Sequence, residues 1–359
     1  MIIGHGGNIY KLAKDLGVTP GEITDMSSNL NPLGPPEGLM EHLASKLSTI
    51  VSLPEVDAGH IKELLAAKYG ISPSTLLAGN GTTEFIYAIP RALDTKRALI
   101  VGPTYADYRD ACEMYGAGAD FLTTQKENAF CIDPQDIAKA ADGYDTVFLC
   151  NPNNPTGTLV APEAIKAMAE ARPDIRFVID ESYLPFACDA YGKSVARYGL
   201  ANVVVLNSMS KVFRIPGLRV GFLMAPEALI AEFSKYVLPW CVNAMAQAAV
   251  SFILSGGEAI DAFLTATRAY VKEEKERFVA ALDKMPGIIP YGAETYFVIC
   301  ELQGENTAAA LWTALAEEAF LIRDCTNFIG IEGEFVRFSL KNKETNDRLL
   351  TLLEKHLKK

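Results

Sequence analysis

Along the middle of the chain, short and continuously apolar runs alternate with longer segments whose apolar positions recur every three to four residues. Residues 98–101, Thr146–Cys150, 177–180, 203–206 and 220–224 are brief runs rich in Val, Ile, Leu and Phe. Runs this short and this apolar predict strands buried on both faces. Pro162–Ala171, between two of them, has the spacing of an amphipathic helix. Such alternation predicts an α/β fold, a mostly parallel sheet with helices on both faces. The last third changes character. Residues 258–285 read as one long helix, and 296–301, 321–323 and 335–340 as strands around a helix near 307–319. Asn342 is placed to cap a closing helix. A chain of 359 residues exceeds one compact core. We therefore expect a large domain over residues 46–238 and a smaller α/β domain from 1–45 with 239–359.

In open parallel sheets, ligands bind beyond the carboxyl ends of the strands. The polar motifs of this chain fall there. The run at 98–101 leads into Pro103-Thr104-Tyr105, and Thr146–Cys150 into Asn151-Pro152-Asn153-Asn154-Pro155-Thr156-Gly157. The run at 177–180 ends on Asp180 and continues Glu181-Ser182-Tyr183. The run at 203–206 leads into Ser208-Met209-Ser210-Lys211, with Arg219 eight residues further on. Four loops thus converge on one edge of the sheet. A lysine in such a loop can condense with a carbonyl cofactor, and Ser208, Ser210 and Arg219 suit a phosphate. Together they describe a seat for pyridoxal phosphate.

The other strand-end residues acquire roles around that ring. Asp180 can keep the pyridine nitrogen protonated, and Asn154 and Tyr183 can hydrogen-bond the phenolate oxygen. Tyr105 can lie on the ring face. Gly79-Asn80-Gly81-Thr82-Thr83-Glu84 precedes a helical stretch at 85–93. Backbone N–H groups after Gly81 and the hydroxyls of Thr82 and Thr83 suit the cofactor phosphate. Taken singly, each has a plainer use. Gly79-Asn80-Gly81 makes a good turn, Asp180 a helix cap and Lys211 an exposed charge. Their order and shared placement at strand ends single out the cofactor.

Charge and composition narrow the class. Lys and Arg number 33 against 44 Asp and Glu, a net charge of -11, which disfavours a nucleic-acid surface. The seven cysteines form no C-x-x-C pair and read as reduced thiols; no metal is expected. No run is long and apolar enough to span a bilayer, so no membrane association is expected. The start Met1-Ile2-Ile3-Gly4-His5 lacks signal-peptide features. A cytoplasmic location is the expectation.

Asn154-Pro155-Thr156-Gly157, the Asp180-x-x-Tyr183 pair and Ser208-x-x-Lys211 with Arg219 carry a family resemblance. Over essentially its whole length the chain resembles the fold-type I pyridoxal-phosphate enzymes, the aspartate aminotransferase superfamily. The resemblance implies that Lys211 is both cofactor partner and proton carrier, in a homodimer whose site lies at the subunit interface. His5-Gly6-Gly7-Asn8, Ser28-Asn29-Leu30-Asn31-Pro32-Leu33-Gly34, Pro239-Trp240-Cys241-Val242-Asn243-Ala244 and Ile322-Arg323-Asp324-Cys325-Thr326-Asn327 are similar to the L-threonine-O-3-phosphate decarboxylases of cobalamin synthesis. That likeness implies decarboxylation of a small O-phospho-L-amino acid, L-threonine O-phosphate or L-serine O-phosphate. By resemblance Arg337 matches the family's carboxylate-binding arginine, His5, Asn29 and Arg323 are candidates for the phosphate end, and Gly6 is expected to bind substrate beside them. A planar guanidinium suits both oxyanions.

Two positions depart from the pattern. Leu53-Pro54-Glu55 stands where the family has Tyr-Pro-Asp, and Lys341 where the decarboxylases have a second arginine. Histidinol-phosphate aminotransferase needs the same cofactor seat and remains an alternative. So does a regulatory domain that binds pyridoxal phosphate without catalysis. A nicotinamide dehydrogenase, read from Gly79-x-Gly81, is disfavoured because position 84 is Glu rather than the third glycine.

Overall fold

Seven strands make the central sheet, in the spatial order Leu76–Gly79, Gly221–Met224, Val203–Asn207, Arg176–Asp180, Thr146–Cys150, Arg97–Gly102 and Gly118–Thr123. The computed structural model describes residues 6–292 and 294–358, so His5 lies outside the described residues. Gly221–Met224 runs antiparallel to both neighbours, and the remaining pairs are parallel. The expected mostly parallel α/β architecture is therefore present. Thr146–Cys150 and Val203–Asn207 are buried at every position, which is why they read as unbroken apolar runs.

Two strands carry no such signature. Gly118–Thr123 is an edge strand with alternating and partial burial, so its pattern is mixed. Leu76–Gly79 is four residues long and ends on glycine. The helix after it begins at Thr82, three residues before the expected start, and runs to Ala92. Gly81 makes the sharp turn with φ of 81°. The carboxylate of Glu84 accepts from Asn80 N at 2.5 Å, tying the turn to the helix.

A second sheet orders Arg323–Asp324, Phe335–Ser339, Phe297–Leu302 and Ile288–Pro290, all antiparallel. Phe278 and Leu282 of the Gly257–Leu282 helix and Leu349 and Leu353 of the Lys343–His356 helix pack with Val298, Cys300 and Phe338 in its core. Asn342 caps the closing helix, accepting from Thr345 N at 2.9 Å. The single strand expected over 321–323 is two short ones. Phe320–Leu321 pairs in parallel with Thr24–Asp25, whereas Arg323–Asp324 joins the antiparallel sheet. Ile322, buried between them, marks the change of partner. The chain after Asp25 is thereby laced into the centre: Ser339 N donates to Met26 O at 2.8 Å and Asn31 N to Lys211 O at 3.1 Å. Among the described residues no single helix is long and apolar enough to cross a membrane.

Candidate active site

Lys211 sits in the short helix Met209–Val212, directly beyond the Val203–Asn207 strand. Burial and the positive charge of Arg219 pull its amine down to about 8, a shift that Asp180 opposes and Arg337 adds to. Asp180 ends its strand deep in the protein. Burial raises the pKa of its carboxyl, while hydrogen bonds from Ser182 and Tyr108 and the charge of Lys211 act the other way. Ser182 N donates to Oδ1 at 2.9 Å and Tyr108 Oη to Oδ2 at 2.8 Å. Tyr108 was not singled out in the sequence. The available signal was its spacing of three from Tyr105; the two rings meet edge to face with centroids 5.9 Å apart.

The same cavity has a cationic, hydroxyl-rich corner. Gly81, Thr82, Thr83, Ser208, Ser210, Lys211 and Arg219 all line it. A Cβ on Gly81 would stand 2.7 Å from Arg219 Nη2, so the absence of a side chain lets the guanidinium close on the helix start. Ser208 Oγ and Ser210 Oγ lie 2.7 Å apart. Free N–H groups at the start of a helix, hydroxyls and a guanidinium form a cradle for a phosphate.

Tyr105, Asn154, Asp180 and Tyr183 line the rest of this cavity. An anion cradle, an amine and a buried carboxylate around one cavity match the phosphate, aldehyde and ring nitrogen of pyridoxal phosphate. The donor set present fits that group.

Tyr105 and Asn154 also line a second, adjoining cavity, walled by Gly6, Arg109, Arg323 and Arg337. Arg337 is buried in the Phe335–Ser339 strand. One Nη donates to Ser27 O at 2.6 Å and the other to Asn154 Oδ1, and the guanidinium stands 5.3 Å over the Phe297 ring. Arg323 faces Arg337 in register across the strand pair. It donates to Asp324 O at 2.6 Å and Asn327 Oδ1 at 2.7 Å. Burial, and to a lesser extent Arg337, lower its pKa.

The remaining expectations fare differently. Gly6 reaches the wall, where a Cβ would come within 3.0 Å of Ser27 O. Asn29 lines neither cavity. It is buried behind Tyr183, donating to Tyr183 Oη at 3.1 Å and accepting from Ser339 Oγ at 2.6 Å. Its Nδ2 thus holds the tyrosine while its Oδ1 holds the Ser339 hydroxyl. Lys341 lines neither cavity.

Residues 21–353 match the aminotransferase class I and II family. The chain belongs to that family. A threonine-phosphate decarboxylase of Salmonella typhimurium is 31% identical over 352 residues, covering 97% of this chain and 95% of the relative. A histidinol-phosphate aminotransferase of Caldanaerobacter subterraneus is 29% identical over 340 residues, covering 92% of each. The crystal structure of L-threonine-O-3-phosphate decarboxylase from Porphyromonas gingivalis superposes with a TM-score of 0.83 at 30% identity, covering 93% of this chain and 99% of that one. As a member of the class I and II aminotransferase family this chain is an enzyme whose cofactor is pyridoxal 5'-phosphate.

Proposed function

We propose that this enzyme removes the α-carboxylate from a small O-phospho-L-amino acid in formation of the cobalamin nucleotide loop. The substrate is L-threonine O-phosphate, giving (R)-1-amino-2-propanol O-phosphate, or L-serine O-phosphate, giving ethanolamine phosphate. One observation carries the reading. The Gly6-Gly7 segment is seated on Ser27, with Gly7 N donating to Ser27 Oγ at 2.7 Å, and Ser27 O in turn accepts from Arg337 at 2.6 Å. The N-terminal motif that resembles the decarboxylases is therefore one residue removed from the arginine expected to hold the substrate carboxylate. A homodimer is part of the same reading.

Pyridoxal phosphate, when bound, supplies an electron sink for the bond broken at the substrate Cα. Gly81, Thr82, Thr83, Ser208, Ser210 and Arg219 would hold its phosphate. Asp180, kept in place by Tyr108 and Ser182, would hold the protonated ring nitrogen. Arg337 would grip the carboxylate, and Arg323 with Gly6 the distal phosphate. Two anchors at opposite ends of so short a molecule fix the torsion about Cα. That torsion decides whether CO₂ or a proton leaves, so binding energy remote from the reacting bond sets the reaction type. Lys211 would carry the proton delivered to Cα, its depressed pKa suiting it to exchange protons near neutral pH.

Transamination of histidinol phosphate is the second reading, favoured by the similarity to the Caldanaerobacter aminotransferase. Product analysis by mass spectrometry separates the two. With pyridoxal phosphate and L-threonine O-phosphate or L-serine O-phosphate, and no oxo acid, we expect catalytic loss of CO₂. No turnover of either, with amine transfer from histidinol phosphate once 2-oxoglutarate is added, would sink the decarboxylase reading.

A further inference from the structure

The substrate cavity carries a third guanidinium that the reading above leaves unused. Arg109 lies on the Asp107–Met114 helix, one turn beyond Tyr105, and lines the cavity with Arg323 and Arg337. Its side chain is 34% exposed, and it stands 3.3 Å from Asp110 Oδ1 and 3.3 Å from Glu113 Oε1. The Nε atom facing Glu113 is buried and makes no hydrogen bond among the described residues; nor does Arg337 Nε. Buried donors in folded proteins are matched to acceptors. Two such donors on guanidinium groups lining one cavity fit a ligand rich in anionic oxygen.

We propose that Arg109 is the second cation for the distal phosphate, acting beside Arg323 and setting the preference for phosphorylated over unphosphorylated amino acids. The proposal rests on the reading of this cavity as the seat of a phosphorylated amino acid. The other two arginines are already committed. Arg337 is turned to Ser27 and Asn154, and Arg323 to Asp324 and Asn327. A phosphate dianion needs more than one positive charge for neutralisation. Arg109 is tied on two sides: Nη2 donates to Asp110 Oδ1 at 3.3 Å, and Nε faces Glu113, its i,i+4 partner, which is 62% exposed. A surface pair such as that with Glu113 holds weakly, so an entering phosphate can take over that side of the guanidinium.

The test is titration of the holoenzyme, followed by cofactor absorbance, with L-threonine O-phosphate and separately with L-threonine. Arg109→Gln is expected to weaken the phosphorylated ligand about 10- to 100-fold, as loss of a charged hydrogen bond does, and to change L-threonine less than about twofold. Glu113→Gln, which removes the more exposed of the two competing carboxylates, is expected to tighten the phosphorylated ligand alone. Equal weakening of both ligands by Arg109→Gln, or weakening of neither, overturns the proposal; so does loosening of the phosphorylated ligand by Glu113→Gln. Product analysis on the same wild-type samples separates the two ideas. Absence of CO₂ with the phosphate preference intact, and lost in Arg109→Gln, overturns decarboxylation and supports Arg109. Release of CO₂ with a preference unchanged in Arg109→Gln overturns Arg109 alone.

Discussion

An amine surrounded by protein and by two guanidinium groups loses its proton more readily than one in water, and Lys211 is held at about 8 by that environment. Only the neutral amine attacks an aldehyde. Uptake of pyridoxal phosphate by cofactor-free protein should therefore quicken about tenfold per pH unit below the pKa, and level off above about 8. Stopped-flow absorbance from pH 6 to 9 checks this; a flat profile would remove Lys211 as the attacking group. Glu181, next in the chain to Asp180, is the opposite case. It is buried, Oε1 accepts from Val195 N at 2.9 Å, and Oε2 makes no hydrogen bond among the described residues. Burial pushes its carboxyl up to about 7. The folded state thus binds this proton more tightly than the unfolded chain does. Stability falls as pH rises from the ordinary glutamate range to about 7 and then stays down. Glu181→Gln should remove that part of the slope, worth up to about 3 kcal/mol. The melting temperature at pH 8 should match or exceed that of the parent; a variant destabilised more at pH 8 than at pH 5 contradicts the argument. Asp180 was legible because it closes an apolar run, and Lys211 because it lies in the polar loop directly beyond one. Tyr108 and Glu181 were not, since one is an ordinary helix residue and the other an ordinary polar residue until burial is known.

The phosphate cradle is a property of one helix and the strand beside it. The Thr82–Ala92 helix begins where Gly221, on the neighbouring antiparallel strand, has no side chain; a Cβ there would come within 2.5 Å of Thr82 N. Backbone cannot move aside as a flexible side chain can, so the helix start must shift. Gly221→Ala is expected to cost about 1–3 kcal/mol through overpacking. The displaced helix start should also hold the phosphate less well, and each 1.4 kcal/mol lost from that contact raises the dissociation constant for pyridoxal phosphate about tenfold. Equilibrium dialysis measures it, and unchanged affinity would mean that the N–H groups of this turn do not hold the phosphate. Elements buried on both faces were predicted to within about two residues, because nothing but apolar side chains fits between two layers of helices. The edge strand Gly118–Thr123 was not, since one side of it meets solvent and its pattern blurs. The split at Ile322 also escaped, because strand partners are chosen by the fold and not by the segment.

At the scale of the whole molecule, two segments among the described residues carry a concentration of exposed apolar side chains. Met40, Leu47, Ile50, Val51, Leu53 and Val56 lie in one, Leu238 and Trp240 in the other, and Val51 is 87% exposed. Trp240 N donates to Val56 O at 2.8 Å, and Gln247 Nε2 to Glu55 O at 3.0 Å, so the segments are joined in space. A contiguous patch of this kind marks a protein contact, and we expect a second copy of this chain to cover it. Light scattering should give twice the 39.0 kDa of one chain. Leu53→Asp, at a residue 74% exposed, should yield monomer without loss of fold. A parent protein that is monomeric at micromolar concentration would refute the expectation.

By itself the sequence determined the five inner strands of the sheet, the edge of it that carries chemistry, and the cofactor. Strand periodicity and the residues ending each strand are local properties, and a lysine, an aspartate and a serine–arginine set at successive strand ends are local signals. Tertiary structure alone decided which side chains meet around the adjoining cavity. Arg337 meets Ser27 across 310 residues and Asn154 across 183. Asn29 meets Tyr183 across 154 residues. Arg109 comes to stand on the same wall as Arg323. Such roles rest on which distant side chains meet and which donors are left without acceptors, and these are settled only when the chain is packed.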